Sequence, residues 1–291
     1  MMRIVLTGLT WLVGLLFALP LVVMVLVSIQ PPGQASAGGA DLVPRFDQEV
    51  MRGGEAAGPS NVVESTAASY RAVWTNPIAD FPLALHNSVV VAVLGVIGMT
   101  VSSTIVAYGF SRMRWPGRDG WFLVLLVTLM VPPAVLNAPQ YVVFKQLGLI
   151  GTLAPLWLPA WMGGAFSIFL LRQFFLTIPR ELDEAARMDG ASHLRVLLGV
   201  IVPLSGPAII TVALLQFVSL WNDFQGPLLF LTHQDQATLS LTLQQYHQQH
   251  GGTPWNHVMA ASVLIVAPVL ALYVAARRFF TEGVAAQTLR E

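Results

Sequence analysis

The stretch ELDEAARMDGASHLRVLLGVIVPLSGP (181–207) places Glu181, Asp183, Glu184, Arg187 and Asp189 within nine residues, between two apolar runs. Ionised groups packed this closely can hold a partner surface, but they form no nucleophile-and-base arrangement. A second group is Gln216, Ser219, Trp221, Asn222 and Asp223. It sets an aromatic ring among amide, hydroxyl and carboxylate groups, the stacking and hydrogen bonding that sugars favour. Trp221 serves equally as an interfacial anchor. A third, Asn137 and Gln140, lies among Pro132, Pro133 and Pro139. A helix break there could offer backbone groups to a substrate, and a plain helix terminus is the other reading. The run HQQH (His247 to His250) has helical spacing for two metal ligands but shows no third.

Other chemistry is missing. The chain has no cysteine, which rules out disulfides and thiolate metal sites. Its one lysine, Lys145, is not in a phosphate-binding loop, and a Walker A loop needs a lysine to reach the phosphates. Any nucleotide must therefore sit on a partner. The apolar runs hold almost no ionisable side chain, whereas ion-driven carriers place such groups in mid-membrane.

The elements that position these groups follow from composition. Of 291 residues, 55% are hydrophobic and 10% charged, against roughly 25% charged in soluble domains. That leaves too little polar surface for a water-soluble globule and predicts an all-α polytopic membrane protein, since lipid requires backbone groups to be satisfied within each segment. Net charge is zero, so nothing points to nucleic acid. Residues 4–29 carry no charge and exceed the ~20 needed to cross a bilayer. A signal peptide ending near ASA (35–37) is the competing reading, but its apolar region would be only about 7–15 residues. Further apolar runs at 84–109, 120–138, 153–171, 200–222 and 257–276 bring the expected helices to six. A Gly-, Pro- and Ser-containing segment at 30–82 is expected to be external, with a helix near 62–74.

Arginines set the orientation. Arg112, Arg114 and Arg118 fall in one connection, and Arg172, Arg180, Arg187 and Arg195 in another; Arg277 and Arg278 open the tail. Of the alternate connections, 139–152 holds Lys145 alone and 223–256 neither Lys nor Arg. Both termini and the charged stretch are thus expected in the cytoplasm. Within that stretch, Pro179 suits a first helical position, and Glu181, Asp183 and Glu184 complement the helix dipole. Asp183 and Arg187 are spaced as an i,i+4 pair. Gly190 suits a left-handed helix end, and Ser192 a cap for a second helix running into the fifth span. Leu182, Ala185 and Ala186 share a face. A helix this short is marginal in water, so the local physics leaves two readings, docked on a partner or solvated.

The same residues resemble the EAA signature of binding-protein-dependent ABC importer permeases. Glu184, Ala185, Ala186, Asp189, Gly190, Ala191 and Pro203 match it, with Val202 where Leu is common. The stretches AYGFSRMRWPGR (107–118), WNDFQGPLLFL (221–231), LTLQQY (241–246) and ARRFFTEGV (276–284) are similar to the carbohydrate branch, closest to the second permease of a maltose-type system. The tail AAQTLRE departs from the Gly-rich, Lys-containing ending of many relatives.

The resemblance implies a type I importer permease of six transmembrane helices. Residues 1–30 would be a first helix, 31–82 an external loop, and 83–291 a core permease domain with a coupling helix at 179–198. It also implies a homologous second permease, two cytoplasmic ATPase subunits that bind ATP and Mg, and an extracytoplasmic sugar-binding protein. The expected function is uptake of a sugar or oligosaccharide by alternating access across a bacterial or archaeal cytoplasmic membrane, with no catalysis by this chain. An ion-coupled secondary carrier of a small polar solute is the alternative from another class, and a membrane enzyme a third.

Overall fold

The computed structural model describes residues 2–31, 34–35, 62–77, 79–247 and 255–288, with side chains over 6–31, 34–35, 62–77, 79–246 and 255–277. Among them every regular element is helical. Four helical stretches are long and apolar enough to cross a membrane: Leu6–Ser28, Phe81–Arg112, Ala154–Thr177 and Trp255–Arg277. Two bent pairs bring the count to six if each is one span.

The elements in order are α1 (Met2–Ser28), α2 (Val62–Trp74), α3 (Phe81–Arg112), α4 (Arg118–Thr128) and α5 (Pro133–Gln146). Then come α6 (Ala154–Trp157), which tightens into a 3₁₀ turn over Leu158–Met162, α7 (Ala165–Thr177) and α8 (Glu181–Met188). The rest are α9 (His193–Leu204), α10 (Gly206–Trp221), α11 (Gln225–Phe230), α12 (Leu239–His247) and α13 (Trp255–Thr288). The expected helix near 62–74 is α2.

Two expected spans are broken. The run 120–138 turns by 97° between α4 and α5. Pro132 and Pro133 supply no N–H, and a residue before proline is pushed out of the helical region; Pro132 accordingly sits at φ −61°, ψ 131°. The run 200–222 turns by 82° between α9 and α10. Pro203 and Pro207 delete two rungs of the ladder, and a π-helical turn over Leu197–Ile201 precedes the break. The second short helix therefore does not run straight into the fifth span.

The chain forms two compact units. One comprises 1–84 and 241–270. Within it Tyr246 donates its hydroxyl to the carbonyls of Val73 and Ala79, at 2.9 and 3.2 Å. Burial, then the nearby Asp80 carboxylate, pushes the Tyr246 phenol up to about 12. Asn256 donates to Ser69 at 3.1 Å. These bonds tie α12 and α13 to α2 and the turn after it within this unit. The α1 side chains from Leu6 to Leu16 are exposed along their length, as a lipid-facing helix requires.

The other unit comprises 85–240 and 271–291. Its main core gathers Ala107 and Tyr108 of α3, Leu171 and Phe175 of α7, Val196 and Ile201 of α9, and Val212 of α10. A second cluster joins Val91, Phe144, Leu156 and Phe230. On α3, Gly95 and Gly98 let Leu220 and Trp161 approach so closely that a β-carbon at either would overlap them.

Candidate functional site: a charged surface turn wired to the membrane helices

Helix α8 starts at Glu181, one residue after Arg180 and two after Pro179, so the proline lies just outside the first turn expected for it. Its end is a Schellman motif: the Ala191 N–H donates to Ala186 O at 3.0 Å and the Gly190 N–H to Arg187 O at 2.9 Å. Gly190 has φ +79°, the left-handed conformation that glycine adopts without a β-carbon penalty. Ser192 then caps α9, its hydroxyl accepting from the Arg195 N–H at 3.4 Å. Two short helices meet at DGAS as the sequence predicts.

The ion pairing differs from the i,i+4 expectation. Asp183 turns inward and pairs with Arg112, at the end of α3, at 3.2 Å. The pair is buried, with side-chain exposures of 2% for Arg112 and 9% for Asp183. Arg112 also donates to the carbonyls of Phe175 and Ile178 at the end of α7, the latter at 2.7 Å. One guanidinium thus ties α3, α7 and α8 together, and Asp183 faces it and not the exposed Arg187. Arg187 instead donates to His193 Nδ1 at 3.0 Å. Guanidinium has no acceptor, so Nδ1 is unprotonated in this contact. Tyr108 of α3 lies 3.3 Å from the same nitrogen. Ala186 and Ala191 pack on the main core, so Ala186 parts company with Leu182 and Ala185.

The opposite face is uncovered. Glu181, Leu182, Glu184, Ala185 and Asp189 are exposed, and Met188 is 90% exposed. Leu194 adds to this surface at 63%. Carboxylates interspersed with open Leu and Met side chains are suited to a docking surface, with apolar area to bury and charge to match. Beside it Arg112, Arg114, Arg180, Asp183, Glu184 and Arg187 line a polar cleft of about 410 Å³.

The remaining polar candidates lie on α5 and on or just after α10. Trp221 is buried and stacks on Phe217, with ring centroids 5.1 Å apart. Asn222 donates to Val218 O at 2.8 Å, closing its own helix end. Asp223 Oδ1 accepts the Gly226 N–H at 3.1 Å at the start of α11. Gln216 is half-buried and Ser219 exposed on α10, while Asn137 and Gln140 are half-buried on α5. Among the described residues the side chains of these four carry no intrachain hydrogen bond. Residues 248–250 and the side chain of His247 lie outside what the structure describes, so the HQQH reading goes no further.

Residues 102–285 match the family described as Binding-protein-dependent transport system inner membrane component. The chain belongs to this family. Among its relatives, the trehalose/maltose transport system permease protein of Thermococcus litoralis is 33% identical over 229 residues, 78% of this chain and 82% of that one. The sn-glycerol-3-phosphate transport system permease protein of Agrobacterium fabrum is 38% identical over 200 residues, 68% and 71% of the two chains. A chain of a bacterial ABC transporter involved in the import of the acidic polysaccharide alginate superposes with a TM-score of 0.77, at 23% identity and 96% coverage of both chains. The fold is that of a type I ABC importer permease.

The permease carries part of its wiring outside the motifs that sequence reading singles out. Arg112 reads as one of three orienting arginines in a connection, but it is buried and holds α8. Its place four residues after the buried Tyr108, on the same helix face, is the signal that could have found it. Arg172 belongs to α7 and not to the following connection, with its guanidinium 3.9 Å above the Phe122 ring. The break at Gly163 and Gly164 is a further feature that hydropathy does not reveal. Ser102 of α3 donates to Ala160 O at 3.3 Å, and the Gly164 N–H donates to Ser103 Oγ at 3.3 Å, which satisfies backbone groups the break frees.

Proposed function

We propose that this permease imports a sugar or a sugar-like polar solute, and that the α8–turn–α9 unit is the coupling helix through which it receives the energy of ATP. The observation that carries the reading is the two-sided nature of α8. Its outer face is open and mixed apolar and acidic, while its inner face is ion-paired to the end of a membrane helix.

The contacting residues on this reading are Glu184, Ala185, Asp189 and Gly190, with Ala186 and Ala191 seating the turn on the core. ATP and Mg belong to two cytoplasmic ATPase subunits, and closure of those subunits draws this turn toward the matching turn of a homologous second permease. Because Arg112 links the turn to α3 and α7, displacement of α8 is transmitted to helices that reach across the bilayer. An extracytoplasmic binding protein that favours the outward-open state biases the same equilibrium from the other side. The orientation that fits puts both termini and α8 in the cytoplasm and 31–82 outside.

A carbohydrate-type solute is supported by the names of the relatives, a trehalose/maltose and a glycerol-3-phosphate system. Asn137, Gln140, Gln216 and Ser219 are the residues proposed to line the path. Trp221, Asn222 and Asp223, which complete the proposed set, shape the end of α10. The test is uptake into proteoliposomes holding the whole complex with its binding protein. ATP-dependent accumulation of a labelled maltose-type sugar, polyol or glycerol phosphate is expected. Accumulation that ignores ATP and follows an imposed ion gradient would overturn the reading.

A further inference from the structure

We propose that an anionic phospholipid binds at the arginine-rich end of α3, with an acyl chain in an apolar groove along α4 and its phosphate among three arginines at the groove's mouth. Helix α4 presents Trp121, Val124, Leu125 and Thr128 along one face, and Phe110 and Ile168 stand across from them. Together they enclose a groove of about 550 Å³. Trp121 and Val124 remain 63% and 53% exposed along it. Residues 121 to 128 span about 10 Å of helix axis, enough for part of one acyl chain.

At Trp115 this groove meets a second cavity of about 460 Å³ with the opposite chemistry. Arg114, Arg118 and Arg180 line it, against the single carboxylate of Asp119. Arg118 engages Asp119 at 2.9 Å. Among the described residues the guanidinium groups of Arg114 and Arg180 have neither an ion pair nor a hydrogen bond. An apolar channel opening directly onto unpaired guanidiniums matches a molecule that is hydrocarbon at one end and phosphate at the other. A zwitterionic headgroup would bring its own cation against the arginines, so the match is to an anionic one. The proposal rests on the reading that places the 110–119 connection in the cytoplasm, where basic clusters beside membrane helices meet anionic lipid. It does not depend on α8 docking to an ATPase.

The test uses the complete transporter, delipidated and then equilibrated with dioleoylphosphatidylglycerol or dioleoylphosphatidylcholine, with lipid retained on this subunit read by native mass spectrometry. With three arginines at about fivefold each, retention of the glycerol lipid at least about 25-fold above the choline lipid is expected. Each arginine near a membrane surface is worth about fivefold, so Arg114→Gln with Arg118→Gln should lower phosphatidylglycerol retention by about 25-fold and leave the choline lipid unchanged. A diazirine in the acyl chain should label peptides containing residues 121–128. If the double variant fails to assemble, Arg114→Gln alone should show the fivefold loss. Equal retention of the two lipids, labelling elsewhere, or competition by soluble glycerol phosphate as effective as the lipid would overturn the proposal.

Discussion

The Arg112 guanidinium, at the end of a helix long enough to cross the membrane, lies 3.2 Å from the carboxylate of Asp183 in the surface helix α8. Both side chains are buried. Removing one partner of such a pair leaves an uncompensated charge, which typically costs about 3–5 kcal/mol. Arg112→Leu should fall in that range, because it also strips donors from the carbonyls of Phe175 and Ile178. Arg112→Leu combined with Asp183→Leu should cost clearly less than the sum of the single changes. Chemical unfolding of the purified transporter over the four-member cycle checks this, and simple additivity would mean that the two groups do not hold each other.

Gly190 should tolerate substitution according to backbone preference and not size, because no atom lies within 4 Å of where its β-carbon would stand. Gly190→Val meets resistance of about 1–2 kcal/mol in the left-handed region, whereas Gly190→Asn should be milder, since asparagine adopts it more readily. In membranes containing normal amounts of the subunit, binding-protein-stimulated ATP hydrolysis should fall in the order wild type, Asn, Val. Equal loss for Asn and Val would mean that any side chain at position 190 meets the docked ATPase, since the space around it within the permease is open.

How far this turn is legible in the sequence can be seen residue by residue. Gly190, Ser192 and the acidic first turn act locally, within a few positions along the chain, and the sequence locates them. The i,i+4 spacing that assigns Asp183 to Arg187 is also local. Its real partner comes from α3, and no spacing rule reaches that far. The broken spans are readable in principle from Pro132 with Pro133 and Pro203 with Pro207, but hydropathy averages over prolines and reports only that a run is apolar. Trp221 reads equally as a sugar platform or an interfacial anchor because the sequence shows only which groups are adjacent, while its burial and its stacking on Phe217 depend on tertiary packing.

Tyr246 gives a prediction with a sign. Its phenol is pushed up to about 12 from 10 by burial and then by Asp80. A raised folded-state value favours the neutral hydroxyl, so its contribution to stability is fully present below pH 10 and is lost as pH rises toward 12. The difference in stability between wild type and Tyr246→Phe should therefore be flat from pH 7 to 9. Its size should be about 1–3 kcal/mol, because the Val73 and Ala79 carbonyls lose their donor. Thermal unfolding at several pH values measures it, and a difference that shrinks between pH 7 and 9 would contradict the assigned environment.

If α8 is the coupling helix, its open face is covered by an ATPase in the working transporter. The chain has no cysteine of its own, so Met188→Cys introduces a single reporter at the side chain that is 90% exposed. The measurement is its rate of reaction with a membrane-impermeant maleimide in inside-out vesicles, with and without the ATPase subunits assembled. Rapid labelling of the permease without its ATPases, slowed at least about tenfold when they are bound, is the predicted result. The same rate in both states, in vesicles where ATP-driven uptake is intact, would show that α8 is a solvated turn and not the coupling helix.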